Sequence, residues 1–268
     1  METDIDAGGT RLAATVEGEG PRTLVWGHGL LSDRASEDDL GLFDWARVVD
    51  GTRLVRYDAR GHGRSHPAGD PEQLRWSALA GDMLAVADAV GATSFVAGGA
   101  SMGCATALYS AVAQPTRIEA LVLVIPPTAW ATRAAQAQMY AAGVELFRQQ
   151  PEQALQLIAS AFDNAPPLGE MVSAGYPEAT EIMRRHMLRL DPSRLPSILE
   201  GAARSDLPAP EHLAGITAPA LILAWVGDSG HPVATAQRLH ELIADSQLHV
   251  AQSVDDVHGW PELVAHFL

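Results

Sequence analysis

Gly99-Ala100-Ser101-Met102-Gly103 decides the reading of this chain. An apolar run, Ser94-Phe95-Val96-Ala97, precedes it, and an amphipathic run from Cys104 to Val112 follows. A serine between two glycines where a strand turns into a helix is the G-x-S-x-G elbow, a turn too tight for ordinary backbone geometry. The glycines let the flanking chain pass without a side-chain clash. The hydroxyl is held up at a helix N-terminus, where developing negative charge is stabilised. Ser101 is therefore the expected nucleophile.

Working outward, Trp26-Gly27-His28-Gly29-Leu30 closes a short apolar strand. Leu221-Ile222-Leu223-Ala224-Trp225-Val226 is a strand ending in Gly227-Asp228. Leu248-His249-Val250-Ala251 is a further strand, followed by a loop with His258-Gly259 and an amphipathic stretch, Pro261 to Leu268. The chain order Ser101, Asp228, His258 differs from the orders of chymotrypsin and subtilisin and is that of α/β-hydrolases. On these residues the sequence resembles the α/β-hydrolase superfamily over nearly its whole length, apart from the middle third. Tyr57-Asp58-Ala59-Arg60-Gly61-His62-Gly63-Arg64-Ser65 is similar to the turn after that family's fourth strand, so His62 is expected to be structural. Gly227-Asp228-Ser229-Gly230-His231-Pro232 resembles the family's acid loop, with His231-Pro232 opening the next helix.

The resemblance implies a Ser101-His258-Asp228 triad, with His258 as general base. It also implies an oxyanion hole from the backbone N–H groups of Leu30 and Met102. Leu31 and Trp130 are the expected pocket residues. Ser101 stands where haloalkane dehalogenases and epoxide hydrolases place an aspartate, and Met102 where proline iminopeptidase-like members place a tryptophan. The remaining motifs resemble small bacterial serine esterases and 3-oxoadipate enol-lactonase-like hydrolases. The expected reaction is hydrolysis of a small carboxylic ester or lactone through an acyl-enzyme. The alternatives are a carbon–carbon bond hydrolase of ring-cleavage products and a ligand-sensing protein of little turnover.

The rest of the chain reads as α/β. Strands are expected at residues 10–16, 22–26, 52–58 and 118–125, and a helix at 74–90. The rhythm stops at Pro126-Pro127; from Trp130 to Leu207 the pattern is helical, and it resumes at Ile216. This predicts a mostly parallel sheet flanked by helices, from residues 1–126 and 208–268, with a helical cap at 127–207 over the carboxyl ends of the strands. Ser32 to Leu40, with its acidic run Glu37-Asp38-Asp39, is expected to be solvated. An apolar cap suits neutral acyl groups. A carboxylated lactone needs a cation near Ser101, for which the candidates are Arg133, Arg148, Arg184, Arg185 and Arg189.

A net charge of −15 repels nucleic acid and anionic membranes. No basic patch with interleaved aromatics opposes that reading. The single cysteine, Cys104, forms no intrachain disulfide and is expected to be a buried, inert thiol. Neither a signal segment nor a membrane-spanning run is legible, so a cytoplasmic enzyme is expected. Metal-ligand and nucleotide-binding motifs are also missing, so no cofactor is inferred. Oligomeric state leaves no mark in the sequence.

Overall fold

The structure, a computed structural model, describes residues 1–268. Its eight strands are β1 (Glu2–Asp6), β2 (Arg11–Glu17), β3 (Arg22–Gly27), β4 (Thr52–Tyr57), β5 (Phe95–Ala100), β6 (Ile118–Val124), β7 (Ala220–Trp225) and β8 (Ser246–Ala251). They form one sheet in the order β1-β2-β4-β3-β5-β6-β7-β8. From β4 to β8 every pairing is parallel; β1 and β2 are antiparallel.

Parallel strands covered on both faces read as nearly unbroken apolar runs. The two-residue period sorts such a run between two cores. In β7, Ala220, Ile222 and Ala224 enter one core, whereas Leu221, Leu223 and Trp225 enter the other. β3 and β5 do the same: Val25 and Ala97 face the first core, Leu24, Trp26 and Val96 the second. No polar face remains on these strands, which is why no alternation is visible in their sequences.

Before β5 the helices are α1 (Arg34–Leu40), α2 (Trp45–Val49) and α3 (Trp76–Ala89), and α4 (Met102–Ala113) follows it. Between β6 and β7 every strand-free element is helical: α5 (Arg133–Gln149), α6 (Pro151–Ala161), α7 (Gly169–Gly175), α8 (Glu178–Arg189), α9 (Leu195–Ala203) and α10 (Pro210–Leu213). Val144, Phe147, Leu155, Met187 and Ile198 of this stretch build a third, smaller core. Leu30 and Leu31, from the turn after β3, pack against it. The last helices are α11 (Val233–Leu242), α12 (Val254–His258) and α13 (Trp260–Phe267). No helix is long and apolar enough to cross a membrane.

The chain leaves β3 toward β4 on one side and β5 leads to β6 on the other, so adjacent β3 and β5 form the switch point of the sheet. Crevices at the carboxyl ends of strands open there in α/β sheets. The elbow occupies that position.

Candidate active site

Ser101 joins β5 to α4 with φ 52° and ψ −107°, a left-handed backbone that a non-glycine residue adopts only under constraint. The constraint is visible. The Ser101 N–H donates to the Val124 carbonyl at 3.0 Å, and the Ser101 carbonyl accepts from Cys104 N–H at 3.0 Å. A Cβ on Gly103 would fall 1.9 Å from the Gly27 carbonyl oxygen, and one on Gly99 2.5 Å from the Gly103 carbonyl carbon. The flanking glycines thus let the start of α4 lie directly against the end of β3. Cys104 is buried, and its thiol lies 3.1 Å from the Gly99 carbonyl and 3.0 Å from the Val124 carbonyl, which share its single proton. Burial pushes its pKa far up.

Asp228 follows β7 in a tight loop. Its Oδ1 accepts from the backbone N–H groups of Gly230 at 2.8 Å and His231 at 3.2 Å. Its Oδ2 accepts from Trp225 Nε1 at 2.9 Å and lies 2.8 Å from His231 Nδ1. Burial opposes ionisation of this carboxyl, yet the bonds from His231, Trp225 and Gly230 outweigh it and hold the pKa below the usual range. The other ring nitrogen, His231 Nε2, lies 2.8 Å from Ser101 Oγ. Because Asp228 accepts at Nδ1, that nitrogen carries the proton and Nε2 presents its lone pair to the serine.

The imidazole at Ser101 is therefore that of His231, not of the expected His258. His258 ends α12 on its exposed side and bonds to neither Ser101 nor Asp228. The helical turn at Ser253–Asp256, capped by the Ser253 hydroxyl, rotates Val254 and Val257 inward, and Val257 is the residue of α12 that reaches the pocket. The sequence signal for His231 was its spacing: Asp-x-x-His around Gly230 lets one short loop carry both groups.

His28 and His62 have structural surroundings. His28 Nε2 accepts from Ala59 N–H at 2.9 Å and Nδ1 donates to the Gly29 carbonyl at 2.7 Å, fixing one neutral tautomer. Burial lowers its pKa, against the pull of Asp58. His62 lies edge-on to His28, and burial followed by that neighbour lowers its pKa to about 3.

Met102 opens α4, so its N–H has no partner within the helix. Leu30 lies in the Gly29–Ser32 turn, closed by Ser32 N–H donating to the Gly29 carbonyl at 3.1 Å, and it lines the same cavity as Ser101. The cavity holds about 190 Å³. Its wall is mostly apolar, with Trp26, Phe43, Trp45, Trp225 and Trp260 prominent, and Pro167, Leu168 and Met183 come from the helical stretch.

The two expected pocket residues lie elsewhere. Leu31, at φ 59°, faces a separate polar cavity on the far side of its turn. Trp130 packs against the core beside the helices, held by Nε1 donating to the Pro208 carbonyl at 3.1 Å and by its N–H on the Asp206 carboxylate. The acidic run is not uniformly solvated either. It belongs to α1, and Glu37 turns into the cavity while Asp38 pairs with Arg56 and Asp39 with Arg189.

None of the five candidate arginines lines this cavity. Arg133 is buried, donating to the Ser205 and Ala202 carbonyls. Arg148 pairs with Glu200, Arg184 with Asp163, Arg189 with Asp39, and Arg185 is exposed.

Residues 25–165 match the alpha/beta hydrolase fold family, and the chain belongs to it. No curated protein matches the sequence. Among solved structures, a hydrolase from Pseudomonas aeruginosa is 20% identical with a TM-score of 0.80, over 100% of this chain and 97% of that one. The enol-lactonase from Burkholderia xenovorans is 22% identical with a TM-score of 0.75, over 100% and 99%. A thermophilic esterase from Thermogutta terrifontis is 20% identical with a TM-score of 0.77, over 100% and 96%. Likeness at these identities establishes the fold.

Proposed function

We propose that this chain is a serine hydrolase of a small carboxylic ester or lactone that bears no carboxylate, with Ser101 as nucleophile, His231 as general base and Asp228 as the acid that orients it. The observation that carries this reading is the pair of 2.8 Å hydrogen bonds on the His231 ring, one to Ser101 and one to Asp228. As Ser101 Oγ attacks the carbonyl carbon, its proton passes to His231 Nε2, and Asp228 stabilises the imidazolium. The oxyanion forms at the N-terminus of α4 and is received by the N–H groups of Met102 and Leu30. Collapse breaks the bond to the alkoxy oxygen, which leaves with the Nε2 proton. Water then gives a proton to Nε2, attacks the acyl-serine, and the acid is released with Ser101 restored.

The helical stretch at 127–207 serves as a cap in this reading. Glu170 N–H at the start of α7 donates to the Gly227 carbonyl at 3.1 Å, so α7 rests on the acid loop. The lack of any arginine on the cavity wall speaks against carboxylated substrates. Two measurements test the proposal: turnover of 4-nitrophenyl esters and simple lactones, and covalent labelling by an alkyl fluorophosphonate with peptide mapping. The label is expected on Ser101. A label on another serine, or none together with no turnover, overturns it.

A further inference from the structure

Glu37 is the one acidic side chain on the mostly apolar wall of the cavity that holds Ser101 and His231, a wall that also carries the hydroxyls of Ser32 and Ser36. Its Oε1 accepts from Trp26 Nε1 at 3.1 Å. Its Oε2 is shielded from solvent and has no hydrogen-bond partner. Nor does it share a guanidinium. Arg56, whose charge favours the ionised form of Glu37, gives its Nη1 to Asp38 at 2.6 Å instead. Buried carboxylates are ordinarily paired, because the isolated group loses its hydration without replacement. Glu37 therefore leaves an acceptor unspent on the wall of the cavity that holds Ser101.

We propose that Glu37 is the polar anchor of the substrate pocket, receiving an N–H or O–H donor carried by the apolar part of the ester. The inference rests on the hydrolase reading above and narrows its substrate class. Five aromatic side chains suit a flat or bulky apolar body, and the single carboxylate selects a body that ends in an ammonium or hydroxyl group. A carboxylate on the substrate would meet like charge there. Burial also pushes the Glu37 pKa up to about 7, against the Trp26 bond and the Arg56 charge, so a donor that partners it has an unfavourable site to relieve. A purely structural role, holding Trp26, needs one oxygen only, and glutamine fills it equally well.

That difference supplies the test. Wild-type protein and Glu37→Gln are assayed at pH 8 with 4-nitrophenyl esters of phenylacetic and 3-phenylpropanoic acids bearing a para methyl, hydroxyl or aminomethyl group. At one chain length, kcat/KM for the hydroxyl or aminomethyl ester should exceed that for the methyl ester at least about tenfold in wild type. In Glu37→Gln an NH2 replaces the free oxygen while an acceptor for Trp26 remains, and the ratio should fall to near one. A wild-type preference for methyl at both lengths overturns the inference, as does a ratio that survives in a folded Glu37→Gln. The wild-type arm stands even if the variant does not fold. Labelling of Ser101 by a plain alkyl fluorophosphonate separates the two readings. Label without donor preference removes the role of Glu37 and leaves the hydrolase, whereas absence of label overturns both.

Discussion

Asp228 holds His231 twice, through Oδ2 on ring Nδ1 at 2.8 Å and through Oδ1 on its backbone N–H at 3.2 Å. The two residues thus share one short loop, and the side chain and backbone of His231 are tied to the same carboxylate. The loop is fixed from outside as well, by Thr128 N–H donating to the Gly230 carbonyl at 3.0 Å. In the proposed triad such a pair is pre-organised before substrate arrives, as electrostatic catalysis requires.

His231→Ala should lose about 10³-fold or more in kcat/KM, because it removes the acceptor for the Ser101 proton. His258→Ala should stay within a few-fold of wild type, as its ring is exposed and apart from the serine. Ester hydrolysis by the two purified variants decides between the histidines. The reverse ranking would return the base to α12.

Asp228→Asn tests orientation separately from charge. The amide either turns its NH2 toward Nδ1 and Trp225 Nε1, losing both bonds and leaving the ring in the wrong tautomer, or turns it toward the Gly230 and His231 N–H groups and frees the loop. A kcat loss of about 10³–10⁴-fold is expected, with KM changed little. Comparison of kcat and KM under saturating ester is the measurement.

The elbow makes a packing prediction. Gly103→Ala sets its Cβ 1.9 Å from the Gly27 carbonyl oxygen, which belongs to the backbone of a central, covered strand. It should destabilise by about 3 kcal/mol or more. Gly81→Ala, in the exposed middle of α3 with nothing within 4 Å, should stabilise by about 0.5–1 kcal/mol. Urea midpoints of the two variants provide the comparison.

His62 makes a pH prediction. Its folded pKa, about 3, lies below the ordinary imidazole value of 6.5, chiefly through burial. The unfolded chain therefore binds the extra proton first on acidification. The neutral ring's share of stability is complete above pH 6.5 and is lost as pH falls toward 3. Glu37 opposes this, since its raised pKa favours the folded state most below about pH 4.5. The His62 contribution is therefore isolated by difference. Between pH 6.5 and 4.5, wild type should lose about 2–3 kcal/mol more than His62→Gln. Equal slopes in denaturant titrations across that window would contradict the assignment.

The strand–helix rhythm, the elbow and the acid loop were legible because each is written locally. Buried parallel strands are apolar throughout, and the turn at Ser101 needs its glycines. β1 was not legible: its residues Glu2, Asp4 and Asp6 alternate outward on an edge, where polarity resembles a loop. The sequence points to His258 because the family's order places the base after the last strand, whereas the proposed base, His231, stands in the loop after β7. Whether a loop histidine reaches a serine 130 positions away is set by the fold, not by any local period. Glu37 was hidden by its neighbours. The acidic run looks uniformly wet, but a helix turns successive residues by about 100°, so one of three acids can face inward.

His186 gives the last prediction. From α8 its Nε2 donates to the Leu31 carbonyl at 2.8 Å, across to the turn that carries the Leu30 N–H. Leu31 itself sits at φ 59°, so the turn is held in a conformation it would not choose alone. Removing the bond should let the turn relax and move one oxyanion donor out of line without altering the apolar wall. His186→Phe should then lower kcat by about tenfold and leave KM within twofold, less than the 10²–10³-fold cost of deleting such a donor outright. His186→Gln, whose side-chain amide can donate to the same carbonyl, should recover most of the loss. A KM effect in place of a kcat effect, or no rescue by glutamine, would show that the contact merely holds the helices in place.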